Sequence, residues 1–240
     1  METILLRQLL TEREMKYKGG LYHLTQVKLT YNTNRIEGSC LSEEQTRLIF
    51  ETQSLISEQK TAISINDIIE TQNHFLLFDY MLDHALEPLS EEMIKEYHRI
   101  LKSSTPDSRL KWFAVGDYKR VGNVVANLET TPPNQVPDAM RSLLEKYNRK
   151  SEATFHDIVD FHYHFERIHP FQDGNGRIGR IIMFKECLKN NITPFIIEDE
   201  KKAFYYRGLS EYLKEPGYLI DTCLDAQDHY EVYWKQLKFE

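Results

Sequence analysis

Hydrophobic residues recur at helical spacing along almost the whole chain. Residues 2–16 carry Ile4, Leu5, Leu9 and Leu10 on one stripe, and Gly19-Gly20 breaks the pattern. The spacing predicts a second helix over 21–36 that stops at Glu37-Gly38, because glycine accepts the left-handed conformation that closes many helices. Ser42 followed by Gln45 has the form of a capping box and predicts a helix from Glu43 to Ser54. Further apolar periodicity predicts helices over 63–84 and, after the capping Ser90 and its acidic followers Glu91 and Glu92, through Met93, Ile94, Tyr97, Ile100 and Leu101.

The region 112–129 breaks this rhythm. Phe113, Val115, Tyr118, Val121, Val124 and Val125 are strand formers punctuated by glycines, which predicts a small hairpin or flap. Helical spacing resumes at Met140, Leu143, Leu144 and Tyr147, and again over 154–168, where Pro170 ends it. After a loop over 171–176, a helix is expected to restart near Arg177 and run to Lys189, followed by two more. The pattern is that of a mostly α protein with one hairpin.

Composition refines this only at the margins. At 240 residues, with 41% hydrophobic and 28% charged side chains, the chain is long and apolar enough to bury a real core. No apolar run approaches the roughly 20 residues of a membrane span, and the N-terminus lacks the pattern of a secretory signal, so a cytoplasmic protein is expected. Three widely spaced cysteines indicate neither a disulfide framework nor a zinc site. A net charge of -7 argues against a nucleic-acid partner.

Chemistry concentrates in 169–180, HPFQDGNGRIGR. Gly174, Asn175 and Gly176 form a turn that opens a helix, where unpaired backbone N–H groups and the positive end of the dipole bind phosphate. Arg177 and Arg180 lie one turn apart and suit the more distal phosphates. Asp173 would repel phosphate unless a cation stood between them, which is the way Mg2+ is commonly held. His169 is suited to take a proton from an attacking hydroxyl. A metal centre built on His162, His164 and His169 is disfavoured, since side chains two apart on a helix do not share a face; His162 is expected in the core and His164 in solvent.

The string His-x-Phe-x-Asp-Gly-Asn-Gly-Arg-x-x-Arg, matched here at every fixed position, resembles the signature of the Fic (filamentation induced by cAMP) family. The resemblance implies a Fic-type helical domain whose members mostly transfer AMP from MgATP to a Ser, Thr or Tyr hydroxyl of a target protein, or of the protein itself, releasing pyrophosphate. It makes His169 the base, Asp173 the Mg2+ ligand, Gly174 to Gly176 the anion hole, Arg177 and Arg180 the β- and γ-phosphate ligands, and Phe171 the anchor of the loop. Residues 116–125 resemble the hairpin that clamps the target as an added strand. Tyr205 and Tyr206 lie where relatives line the adenine pocket, although core packing explains them equally well.

Upstream, Thr33-Asn34-Arg35-Ile36-Glu37-Gly38 resembles the family's inhibitory pattern, Ser/Thr-x-x-x-Glu-Gly/Asn. That resemblance implies that Glu37 meets Arg180 and holds ATP in an unreactive pose, and that Glu37 could also serve removal of AMP. The implied division is an N-terminal helical region at 1–59, a Fic domain at 60–225 and a C-terminal helix at 226–240, and a homodimer is compatible with it. Transfer of phosphate or phosphocholine, and a non-catalytic nucleotide-binding regulator, are the alternatives.

Overall fold

The computed structural model of the protein describes residues 3–56, 62–125 and 128–238. Its helices are α1 (Ile4–Glu14), α2 (Leu21–Ile36), α3 (Glu43–Thr52), α4 (Ile65–Asp83), α5 (Glu91–Lys102), α6 (Val136–Asn148), α7 (Phe155–Ile168), α8 (Asn175–Lys189), α9 (Lys202–Glu211) and α10 (Gly217–Leu237). Most predicted termini coincide with local capping chemistry. The Ser42 hydroxyl accepts from the Gln45 N–H at 3.1 Å while the Gln45 side chain accepts from the Ser42 N–H at 3.0 Å, a complete capping box. Thr154 caps α7 in the same way with Asp157, the Ser90 hydroxyl caps α5 by accepting from the Met93 N–H, and Gly38 adopts positive φ just beyond α2.

The start of α2 is capped from a distance. Gly20 has no side chain to offer, and Glu12 of α1 accepts from the Tyr22 N–H at 2.7 Å instead. A carboxylate at this position also complements the helix dipole. Because Glu12 is fully buried, this contact fixes α1 and α2 as one unit.

α8 is the centre of the molecule. Every residue from Asn175 to Leu188 is buried, and α7, α4, α2 and α5 pack around it. Leu5, Leu6, Leu9, Leu21, Leu29 and Ile36 share one core with Ile178, Ile181, Ile182 and Phe184 of α8. Residues 3–56 are therefore continuous with the rest in their packing, and among the described residues a satellite cluster forms at α3, of Leu41 and Ile49 against Phe75. The expected boundary at 59/60 lies outside the described residues. The one at 225/226 is corrected: α10 runs through it, with Leu219, Cys223, Ala226 and Tyr230 buried along one continuous face.

The expectation for 112–129 is corrected in detail. Among the described residues strand pairing is confined to β1 (Val124–Val125) and β2 (Leu128–Glu129), antiparallel, with Val124 opposite Glu129. The stretch from Phe113 to Arg120 forms no strand, and its members Phe113, Ala114 and Tyr118 pack inward. Among the described residues no helix is long and apolar enough to cross a membrane. Cys187 and Cys223 are buried and Cys40 is exposed, with no disulfide.

Burial gives the fold an acid-sensitive element. His74, His98 and His162 are fully buried, and desolvation pushes each down to about 3. Their folded pKa values lie below the unfolded value of about 6.5, so unfolding takes up their protons as pH falls below that value. Glu166, pushed up to about 8 by burial and by Glu37, stays protonated in the fold and releases one proton in the same range, offsetting one histidine. The denaturation midpoint should therefore fall as pH is lowered from 6.5 to 4.5, at about 1.4 kcal/mol per pH unit for each net proton taken up. Urea titrations at several pH values would check this; a midpoint independent of pH over that range would refute it.

Candidate active site

The motif loop is positioned by strain on one side and hydrogen bonds on the other. α7 ends at His169, a non-glycine residue held at φ 51°, in the left-handed region. Phe171, fully buried, stacks on the ring of His98 at 4.2 Å with the planes 8° apart. The Asn175 side chain closes the loop: its Oδ1 accepts from the Phe171 N–H at 2.8 Å and its Nδ2 donates to the Phe171 carbonyl at 2.9 Å. Gly174 precedes α8 at φ 83°, a conformation that favours glycine. α8 thus begins at Asn175, slightly earlier than the expected Arg177, and presents the unpaired N–H groups of its first turn to the loop.

Over this turn lies Glu37. Its Oε1 accepts from Arg180 Nη2 at 2.6 Å, and a Cβ on Gly176 would run into its carboxylate. A side chain at 176 would therefore displace the Glu37 carboxylate from this position. Arg180 is buried and fully engaged: Nε donates to Thr33 Oγ1 at 2.6 Å, Nη2 also donates to the Thr33 carbonyl at 3.2 Å, and Nη1 donates to the Tyr205 hydroxyl at 3.4 Å. Burial works against its charge, but Glu37, together with Tyr205 and Glu166, outweighs this and holds the guanidinium pKa above its ordinary value. Thr33, Glu37 and Arg180, far apart in sequence, are brought together here.

Arg177 points elsewhere. It pairs with Glu70 of α4, donates to Asp173 Oδ2 at 3.1 Å and reaches Asn34 Oδ1 at 3.4 Å. Each arginine is thus held by a different element, Arg180 by α2 and Arg177 chiefly by α4. Lys102, at the end of α5 and fully buried, pairs with Glu70, donates to Asp173 Oδ2 at 2.7 Å and lies 3.3 Å from Asp107 Oδ2. Burial raises the Asp173 carboxyl, yet Arg177 and Lys102 override it, and the group lies well below the usual carboxylate range.

Carboxylate oxygens of Glu70, Asp107 and Asp173 all lie within 4.8 Å of one another, with the Lys102 ammonium among them. Lys102 and Glu70 are functional neighbours that sequence reasoning missed. Lys102 sits in the last turn of an amphipathic helix, where a cation is expected for dipole reasons alone, and Glu70 is one acid on a long apolar helix. Neither position carries a motif.

His169 is largely buried, and its Nδ1 lies 4.0 Å from Glu166 Oε2. Desolvation first, and the nearby Lys119 charge second, push the imidazole down to about 4, so it is neutral at physiological pH. His162 is a core residue, its Nε2 hydrogen-bonded to the Tyr205 hydroxyl at 2.7 Å, and His164 is half-exposed beside Asp160. Tyr205 is fully buried in these contacts, which makes it a packing and Arg180-binding residue; Tyr206 is exposed nearby, its hydroxyl on the Ile36 carbonyl at 3.3 Å.

Residues 88–187 match the Fic/DOC family. The protein adenylyltransferase fic-1 of Caenorhabditis elegans is 26% identical over 184 residues, covering 75% of this chain and 35% of its own length. The protein adenylyltransferase Fic of Nematostella vectensis is 26% identical over 186 residues, covering 75% of this chain and 42% of its own. The chain thus spans well under half the length of these curated relatives.

Among solved structures, a Fic domain containing signaling protein from Bacteroides thetaiotaomicron superposes with a TM-score of 0.71 at 24% identity, covering 97% of this chain and 90% of that one. A Fic-1 fragment from C. elegans gives 0.75 at 20% identity, covering 97% and 72%. These likenesses agree on the helical fold, and the family match contains the whole loop described above. Residues 88–187 of this chain are thus a Fic/DOC domain.

Proposed function

We propose that this protein is a protein adenylyltransferase, transferring AMP from MgATP to a Ser, Thr or Tyr hydroxyl of a target protein and restrained by its own Glu37. The observation that carries the proposal is the position of Glu37, seated on Arg180 and over the glycine turn where phosphates would bind. The curated relatives' names support the reaction class.

In this reading the first-turn N–H groups of α8 hold the α- and β-phosphates, and Arg180, once released, takes the γ-phosphate. His169 accepts the proton of the target hydroxyl as its oxygen attacks the α-phosphorus, and the bond to pyrophosphate breaks on the opposite side. Asp173 fits Mg2+, since the cluster it forms with Glu70 and Asp107 already accommodates an ammonium. The ion would neutralise phosphate charge. A surface cleft of about 480 Å3 is lined by Thr130, Lys146, His164, Arg167 and Ile168, residues adjacent in sequence to β2 and to His169, and would give a target segment room to approach.

Glu37 and the γ-phosphate compete for the same guanidinium. Glu37 is 30% exposed while Arg180 is 3% exposed, so the carboxylate is the partner free to swing away. Replacing Glu37 by Gly should raise incorporation of labelled AMP into the protein itself or a lysate target by at least about tenfold, which corresponds to about 1.4 kcal/mol of relieved competition. Intact-mass measurement identifies the reaction: a gain of one AMP supports it, a gain of one phosphate assigns another donor chemistry, and no gain supports a binding-only protein. In the Glu37→Gly background, His169→Ala should lower the rate by about 10²- to 10⁴-fold with ATP affinity little changed; full activity would remove His169 as the base.

A further inference from the structure

Lys119 is a buried lysine that the mechanism above does not use. It lies in the turn region before β1, 3% exposed. Its ammonium donates to Asn123 Oδ1 at 2.7 Å, Thr130 Oγ1 at 2.5 Å and the Ile168 carbonyl at 3.5 Å. Its backbone N–H donates to the Pro170 carbonyl at 2.9 Å, and Asn123 Nδ2 donates to the Phe171 carbonyl at 3.2 Å. These carbonyls bracket His169, the residue held at positive φ. All the acceptors are neutral, and among the described side chains no carboxylate pairs with this ammonium.

We infer that Lys119 is a positioning residue for His169: its ammonium joins Asn123 and Thr130, at the root of the β1–β2 hairpin, to the Ile168 carbonyl before the histidine, while its backbone N–H and the Asn123 side chain hold the carbonyls after it. Strained backbone persists only where its surroundings over-determine it, and Lys119 with Asn123 ties down three of the carbonyls around that strain. The same contacts link the hairpin to the base, so a segment lying along the hairpin and the group that would deprotonate it move as one body.

The groups facing His169 are the backbone of Glu166 from its own helix, with the Glu166 carboxyl protonated, the Glu37 carboxylate from α2, the Asp173 carboxylate from the loop, and Lys119. The Glu166 backbone and the two carboxylates favour the imidazolium; Lys119 is the cation that opposes them. Desolvation pushes Lys119 itself down to about 8, which still leaves it mostly charged at neutral pH. Removing that charge should raise the histidine's titration midpoint, and replacing it with another cation should not.

This role rests on the reading of His169 as base, but its first test does not require activity. The His169 imidazole resonance, assigned by its loss in His169→Ala, is titrated by NMR in the parent, Lys119→Met, Lys119→Gln and Lys119→Arg. The midpoint should rise by about one pH unit in the two neutral variants and stay near the parent's in Lys119→Arg. In the Glu37→Gly background the neutral variants should lose at least tenfold in AMP incorporation, with Lys119→Arg retaining most of it. An unmoved midpoint in a folded neutral variant overturns the inference, as does an equal shift in Lys119→Arg. Loss of fold in both neutral variants with Lys119→Arg intact would reduce Lys119 to a structural role and also overturn it. Absence of AMP transfer in every variant, with the midpoint shift present, would instead count against the proposed reaction.

Discussion

The contact on which this site depends is the ion pair between Arg180 and Glu37. A guanidinium buried in the middle of the molecule must find partners for its charge and its donors, and here nearly all of them come from α2. The pair joins the C-terminal end of α2 to the N-terminal turn of α8 and sets how closely the two helices approach. Gly176 leaves room for the Glu37 carboxylate, and the core shared by α1, α2 and α8 holds the two helices in place. An element seated this way is part of the fold, not an appendage to it.

Charge at the site is balanced by pairs drawn from separate elements. Arg180 is compensated by α2 and Arg177 by α4 and the loop, while Lys102 of α5 neutralises the acids nearest Asp173. In the proposed reaction, a nucleotide would replace protein carboxylates with phosphate oxygens instead of filling an empty cationic pocket. The two arginines differ in how readily this happens. Arg177 and Glu70 are both buried, whereas Glu37 has a route into solvent, so the γ-phosphate end is where binding and restraint meet.

His169, the proposed base, is held by its surroundings in a comparable way. Its backbone conformation is unfavourable for a histidine, and its ring is desolvated next to an ammonium. Both features follow from the packing of the motif loop between α7, α8 and the root of the hairpin. Phe171 on His98, and Asn175 across Phe171, make that loop rigid without using any group that chemistry would need.

Much of this was legible in the residues themselves. Helical periods and capping residues such as Ser42, Ser90 and Thr154 act within a few positions, so the helices and their starts follow from local spacing. The loop chemistry of 169–180 is likewise contiguous, and a separate pattern at 33–38 pointed to Glu37 and Thr33 by resemblance. The strand propensity of 112–123 misled, because Phe113 and Tyr118 are buried instead of paired in a ladder, and tertiary burial overrides a preference worth about 1 kcal/mol. The partners of Lys102, Glu70, Lys119 and Arg177 were not legible, since each contact joins elements remote in sequence and no local pattern marks which charge will be buried. The sequence by itself determined the helices and the reactive groups; the tertiary structure decided which charges meet, because buried ion pairs are selected by three-dimensional proximity and desolvation.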